Sequence, residues 1–407
     1  MRILVLSPIS PLPIFSGGRT RLYNITRQQA VRHELTFVSF WRNDEEWHGL
    51  QTLAQTLAQT LPMRVIPVAF KGKRDLLRHP GKDTLAVARN YGRAWLQRWP
   101  TAIPIWEQPA MFRALQQELA ARKYDILQVE WPYLAPYALQ PNLPPTVLVA
   151  YDIFSVAMGR RAALAHDARL RAQAQRWHAY EQLIYPKFSL VAAMSPQDAT
   201  LIRERAPEAN IIVSPNGVDT QALTPGKIRE QVEHLLFVGS PTHAPNLDAA
   251  CWLLTQIWPT LQARHPRLKL TLVNLQHPTV QKCAAERKNV RITGRLPELT
   301  SVYRQADVAL APVRAGSGTR LKILEAFALG IPVVSTSIGH EGLDVEPGKH
   351  LLAADSPADF VAAVERLLQS ASLRRELAHH GRLLAEQRYD WRSIVDALDE
   401  AYAGVKC

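Results

Sequence analysis

Three cysteines in 407 residues, at positions 251, 283 and 407, are too few and too far apart for a disulfide framework, and they suit a reducing cytoplasm. Cys407 has no C-a-a-X context and reads as incidental. No run approaches the roughly 18 apolar residues of a membrane span, and residues 1–7 read as a strand rather than a signal peptide. The thirteen histidines fall into no H-x-x-x-H or cysteine-paired spacing; His379 and His380 are adjacent and face different ways on a helix. There is no G-x-x-x-x-G-K-[ST], no G-x-S-x-G and no third glycine after Gly316-Ser317-Gly318, which disfavours P-loop, hydrolase and dinucleotide chemistry. Asp-x-Asp, the usual carboxylate holder for a metal–diphosphate, is also absent. A diphosphate leaving from this protein would have its charge carried by cationic side chains and helix ends, without a metal.

What the chain does have is the composition of an ordinary globular protein, 47% apolar and 21% charged, at a length that exceeds one growing core. Short apolar runs at 3–7, 35–40, 64–69, 124–129, 146–150 and 189–193 alternate with helical spacing at 20–32 and 46–60. That alternation predicts a parallel sheet with helices on both faces, a Rossmann-like domain. A second series runs through 235–239, 268–273, 290–293, 307–312, 332–335 and 350–353, with helices at 358–369 and 372–387 closing it. The expectation is α/β: a first domain over 1–210, a linker over 211–230 and a second domain over 231–385. The helix in 386–407 then crosses back onto the first domain. Two such domains facing each other bound a central cleft at the carboxyl ends of their strands.

Charge is unevenly placed. Residues 1–195 hold 24 Lys and Arg against 13 Asp and Glu, whereas the rest holds 24 against 23. The stretch 71–106 interleaves Lys and Arg with Tyr91, Trp95, Trp99 and Trp106. It reads either as a surface that docks on anionic lipid or as a helical insertion whose tryptophans pack on the sheet. No RRM, KH or helix-turn-helix signature accompanies the charge, so nucleic acid is not an expected partner.

The most informative stretch is 311–335, APVRAGSGTRLKILEAFALGIPVVS. An apolar run passes through a small-residue loop into an amphipathic helix beginning near Thr319. Glycines let the main chain approach a ligand, and the helix N-terminus faces the same space. Arg320 and Lys322 add two positive charges, and Glu325 follows one turn on. Gly17 and Gly18 open a helix in the first domain in the same manner. Phosphate with a hydroxyl-bearing sugar suits such a set.

Taken in order, the amino-terminal G-G-x-x-R, PNGVD at 215–219, FVGS-x3-PN at 237–246 and GSGTRLKILEA with LGIPVVS-x3-G-x-EGL resemble the family-4 retaining glycosyltransferases of the GT-B fold. The likeness spans nearly the whole chain. It implies transfer of a hexose from a nucleotide-diphospho-sugar to a hydroxyl of a glycan or lipid-linked acceptor. The anomeric configuration is retained, no metal or cofactor takes part, and the setting is cell-surface polysaccharide synthesis at the inner face of the membrane. Position by position, Glu325 matches the family's glutamate that holds the ribose hydroxyls. Gly316, Ser317, Gly318, Thr319 and Arg320 match the loop on the donor sugar and diphosphate, Gly17 and Gly18 the amino-terminal phosphate loop, Gly239 the donor-binding FVGS glycine, and Leu296 with Pro297 the nucleobase wall.

Three departures from the family pattern bear on the chemistry. Ser317 stands where the family has a first glutamate, eight residues before Glu325. The usual Arg/Lys pair is missing from 240–246, SPTHAPN, which leaves diphosphate binding to Arg320 and Lys322. Tyr151-Asp152 replaces a frequent histidine, making Asp152 either a contact for sugar or acceptor or a helix N-cap, with Glu130 a weaker candidate. Two other readings of the same fold are a sugar-nucleotide 2-epimerase and a non-catalytic partner subunit.

Overall fold

The computed structural model describes residues 1–72, 81–296, 298–315 and 319–405. The sequence expectations for Gly316, Ser317, Gly318, Pro297 and Cys407, and for part of 71–106, lie outside those residues. The chain divides into two units, Met1–Pro215 with Val395–Cys407, and Asn216–Ile394.

The first unit is built on seven parallel strands: β1 (Arg2–Ser7), β2 (Glu34–Trp41), β3 (Met63–Ala69), β4 (Ile126–Glu130), β5 (Thr146–Ala150), β6 (Leu190–Ala193) and β7 (Ile211–Val213). Their spatial order is β3-β2-β1-β4-β5-β6-β7. β1 pairs with β2 on one side (Leu4 opposite Thr36) and β4 on the other (Leu4 opposite Leu127). Its sequence, RILVLS, is apolar on both faces, as expected where helices cover both sides of a parallel sheet. Leu4, Leu6, Leu127, Val129 and Leu148 are fully buried. The strand order reverses between β1 and β4, so the loops after those two strands open at a topological switch point.

The second unit repeats the plan with β8 (His234–Val238), β9 (Lys269–Val273), β10 (Val290–Ile292), β11 (Val308–Ala311), β12 (Val333–Ser335) and β13 (Leu352–Ala353). The order β10-β9-β8-β11-β12-β13 places its switch point between β8 and β11. Leu235, Phe237, Leu270, Leu310 and Val334 form its core with Trp258 and Phe360 from the covering helices.

Two boundaries differ from the sequence reading. Ile211–Val213, the start of the expected linker, is the edge strand beside β6, so the division follows Pro215. At the other end the final helix, Trp391–Val405, joins the first unit only from Val395, and residues 386–394 belong to the second. Within the first unit that helix is fastened by Tyr402, whose buried hydroxyl donates to Gln128 Oε1 at 2.8 Å, and by Asp399, which accepts from Arg32 at 3.1 Å.

The described tryptophans of the stretch 71–106 divide between the core and the surface. Trp99 and Trp106 pack against the first unit's core. Trp95, on the helix Lys82–Leu96, is 72% exposed, and Leu85 and Leu96 of the same helix are 73% and 74% exposed.

Candidate functional site

In the second unit the site grows from the carboxyl ends of β8 and β11. The helix Leu321–Ala328 follows the β11 loop and buries Leu321, Ile323, Leu324, Ala326 and Phe327. Its first helical residue is Leu321, not Thr319, and Arg320 stands at the N-cap without a side-chain cap. Lys322 and Glu325 lie three residues apart, hence on one face, opposite the buried stripe. The helix ends at Gly330, whose φ of +68° suits a residue without a Cβ.

Both polar heads are held. Lys322 Nζ donates to Asn246 Oδ1 at 2.9 Å and sits 4.4 Å from the centroid of the buried Phe237 ring. Tyr303, itself buried, donates its hydroxyl to Glu325 Oε2 at 2.8 Å. Burial pushes the Lys322 ammonium down to about 7; the Arg320 charge acts in the same direction and Glu325 against it. Burial likewise lifts the Glu325 carboxyl to about 7, opposed by the Tyr303 hydrogen bond and the Lys322 charge. Such a pair is poised: an incoming anion favours the ammonium, and incoming hydroxyls favour the carboxylate.

Of the neighbouring residues expected at the site, Thr319 is 6% exposed and engaged by Asn216, whose backbone N–H donates to Thr319 Oγ1 at 3.2 Å and whose Nδ2 donates to its carbonyl at 3.1 Å. The Asn of PNGVD therefore fastens the loop ahead of the helix. Gly239 follows β8, where a Cβ would come 2.7 Å from Leu275 Cδ2 and where its carbonyl accepts from Asn274 Nδ2 at 3.1 Å. Arg314 reaches back to Asp248 with two hydrogen bonds, at 2.6 and 3.0 Å, fixing the other end of the loop. Leu296 lines a cavity of about 400 Å³ with Thr271, Arg291, Thr293 and Ser301, along β8, β9 and β10. Neither Lys322 nor Glu325 lines that cavity.

In the first unit Gly17 and Gly18 begin the helix Gly17–Arg32, and the Ser16 N-cap makes no side-chain cap. A Cβ on Gly18 would lie 2.9 Å from Trp131 Cζ2, so the glycine is required by an aromatic neighbour as well as permitting close approach of a ligand. The arginine of G-G-x-x-R, Arg21, is 1% exposed and donates to Ser214 Oγ at 2.8 Å and to the Pro215 carbonyl; it secures the end of β7. Glu130 is equally buried and takes a hydrogen bond from Gln128 Nε2, with its carboxyl raised by burial.

Asp152 is half-buried between β5 and the helix Phe154–Ala165. It is not the N-cap: Ile153 occupies that position. The first turn is instead served by Glu181, fully buried, whose carboxylate accepts from Ser155 N at 3.2 Å and Ser155 Oγ at 2.5 Å.

Asn246, Phe237 and Tyr303 were not picked out as site residues by sequence. Phe237 and Asn246 open and close the quoted motif at 237–246, which was the available signal for both, whereas Tyr303 lies outside it, 22 positions from its partner.

Two unlinked Rossmann-like sheets with one topology, and a final helix returning to the first, define the GT-B fold. Solved structures of that shape include sucrose-phosphate synthase from Thermosynechococcus elongatus (TM-score 0.74, 15% identity, 100% of this chain and 99% of that one). Anabaena HepE in complex with UDP and glucose is similar too (TM-score 0.70, 15% identity, 99% and 100%).

The chain belongs to glycosyltransferase family 4: residues 15–222 match that family, "Glycosyltransferase Family 4", and residues 232–370 match "Glycosyl transferases group 1". Among curated proteins it is 24% identical to the phosphatidyl-myo-inositol mannosyltransferase of Mycobacterium tuberculosis over 73% of this chain and 78% of that one. It is 26% identical to a D-inositol 3-phosphate glycosyltransferase of Paenarthrobacter aurescens over 60% and 64%. An uncharacterized protein of the Klebsiella pneumoniae cps region is 25% identical over 40% of this chain, and the match spans 45% of that protein.

Proposed function

We propose that the protein is a retaining, metal-independent hexosyltransferase that moves a sugar from a nucleotide-diphospho-sugar to a hydroxyl of a glycan or lipid-linked acceptor. The observation that carries this is the pairing of Lys322 and Glu325 on one face of the helix Leu321–Ala328, each with its own positioning partner, Asn246 and Tyr303. Glu325 holds the ribose hydroxyls. Lys322 and Arg320 hold the diphosphate, replacing the cations that relatives bring from the segment 240–246. The first unit, with Asp152, receives the acceptor. UDP in the HepE structure and the family membership support a nucleotide-sugar donor.

In the reaction the bond between the sugar C1 and the diphosphate oxygen breaks, and the oxygen keeps the electron pair. Lys322 and Arg320 balance the charge that develops there. The acceptor hydroxyl forms the new C1–O bond on the same face and gives its proton to the departing phosphate oxygen. No dedicated protein base is needed. Incubation with UDP-, GDP- and ADP-hexoses, with and without glycan acceptors, tests the reading. Turnover of one donor that rises with acceptor supports it. An epimerised donor with no acceptor present, or nucleotide binding without turnover, would replace it with the epimerase or the partner-subunit reading.

We also propose that the first unit works at the cytoplasmic face of an anionic membrane through the helix Lys82–Leu96. Among the described residues no helix is long and apolar enough to cross a membrane. Leu85, Trp95 and Leu96 expose nearly three quarters of their surface, set among Lys82, Arg89 and Arg93 on the same helix. An apolar face flanked by cations suits the boundary between headgroups and acyl chains. Sedimentation with phosphatidylglycerol vesicles should carry the protein down, and Leu85→Ser with Trp95→Ser should release it. Equal sedimentation of the double variant refutes this placement.

A further inference from the structure

Trp131 is held in a manner unlike the protein's core tryptophans. It follows β4 with φ 68° and ψ 142°, a backbone conformation that strains any residue with a Cβ. Such strain persists only where the surroundings impose it, and it clusters at ligand sites. Here they do. The indole lies flat on Tyr151, the residue after β5, with centroids 3.6 Å apart and planes 10° from parallel. Tyr151 is 8% exposed and carries the Arg21 guanidinium 5.6 Å from its ring centre. Burial, reinforced by the Glu130 carboxylate, keeps its phenol protonated. Gly18 lacks the Cβ that would meet the indole edge at 2.9 Å.

Strain, stacking and a cleared space thus converge on one ring that is not taken into the core. Trp177 and Trp258 are fully buried, whereas Trp131 keeps part of its surface open, at the carboxyl end of the first sheet and stacked on Tyr151, the residue that precedes Asp152. An indole face carries partial negative charge. The ring face of a pyranose presents axial C–H groups of opposite polarity and is apolar enough to lose water cheaply, while its hydroxyls project sideways toward groups such as a carboxylate. A flat alcohol or a bare lipid phosphate would use neither the rigidity nor the shape.

We infer that Trp131, backed by Tyr151, is the acceptor platform of this enzyme: a pyranose ring of a carbohydrate acceptor stacks on the indole, with Asp152 taking its hydroxyls. This rests on the first unit being the acceptor side, as proposed above, and it narrows the acceptor to one that bears a sugar ring beside the reacting hydroxyl.

Saturation-transfer-difference NMR on the intact protein tests it. The probes are methyl β-D-glucopyranoside, methyl β-D-galactopyranoside, methyl α-D-mannopyranoside and methyl N-acetyl-β-D-glucosaminide, each titrated with and without UDP. At least one glycoside should receive saturation, concentrated on its axial ring-face protons. Trp131→Ala should weaken that binding roughly tenfold, the weight of one aromatic stack, and Trp131→Phe should restore most of it. A thermal melt and the UDP affinity of each variant serve as folding controls. No saturation of any glycoside up to roughly 100 mM, or equal affinity in Trp131→Ala and the parent, overturns the platform. Failure of nucleotide binding is read separately: it sinks the donor assignment and leaves the glycoside titrations without UDP to decide this one.

Discussion

The pH dependence of nucleotide binding follows directly from the Lys322 environment. With its ammonium pushed down to about 7, about half the free protein carries the charge at that pH. If the diphosphate requires the protonated form, the apparent Kd rises as the inverse of the competent fraction. At pH 9 that fraction is about 1%, so affinity should be about a hundredfold weaker than the intrinsic value, and the slope should approach tenfold per pH unit. The ligand does not confound this: a terminal phosphate has its second pKa near 6 and is fully ionised above pH 7. Glu325 acts in the opposite sense below neutrality, because its carboxyl, lifted to about 7, loses its charge as the pH falls. Isothermal titration with the nucleoside diphosphate from pH 5 to 9, in buffers of different ionisation enthalpy, reads both affinity and proton uptake. The expected profile peaks near neutrality with net proton uptake above pH 7. Lys322→Arg should flatten the alkaline limb because the guanidinium stays charged. A flat affinity from pH 7 to 9 in the parent protein would falsify the assignment of Lys322 to the diphosphate.

Four further outcomes are expected. A Lys whose folded-state pKa is depressed contributes stability that is present above about 10.5 and lost as the pH falls through about 7, so Lys322→Met should raise the melting temperature at pH 6 and leave it unchanged above pH 10. Gly381→Ala should destabilise by up to about 2 kcal/mol by chemical denaturation: the helix gains about 1 kcal/mol, but the new Cβ lies 2.6 Å from Phe327 Cδ1, and overpacking costs about 1–3 kcal/mol. Because Phe327 anchors the helix that carries Lys322 and Glu325, nucleotide affinity should fall with it. Tyr303→Phe removes the hydrogen bond on Glu325 Oε2 and should weaken nucleotide binding roughly fivefold, worth about 1 kcal/mol, with little change in glycoside binding. Gly18→Ala should displace the indole and weaken acceptor binding roughly tenfold, read by the glycoside titration without nucleotide.

Much of the architecture was legible because a parallel sheet covered on both faces writes its strands as apolar runs. RILVLS, TVLVA and HLLFV needed no partner to be recognised. The β7 edge was harder: three half-buried residues before Pro-Asn-Gly carry the signature of a chain leaving a domain. At the site, Lys322 and Glu325 were visible because helical spacing places them together whatever the fold. Their partners were not, since Asn246 and Tyr303 meet them only through β8, β11 and the helix Thr300–Gln305. G-G-x-x-R was read through its ligand-facing glycines, while Arg21 turned out to be spent on Ser214 and Pro215. Trp131 was invisible for a different reason. Nothing in a sequence announces a tryptophan with positive φ, and the glycine that makes room for it is 113 positions away.

The most direct measurement is a calorimetric titration of the purified protein with UDP, GDP and ADP, repeated on Lys322→Ala and Glu325→Ala. One nucleotide should bind with one-to-one stoichiometry, and each substitution should weaken it by about a hundredfold while the variants melt cooperatively. Absence of binding at millimolar nucleotide, or parental affinity in both variants, would contradict the second unit's role as the donor site.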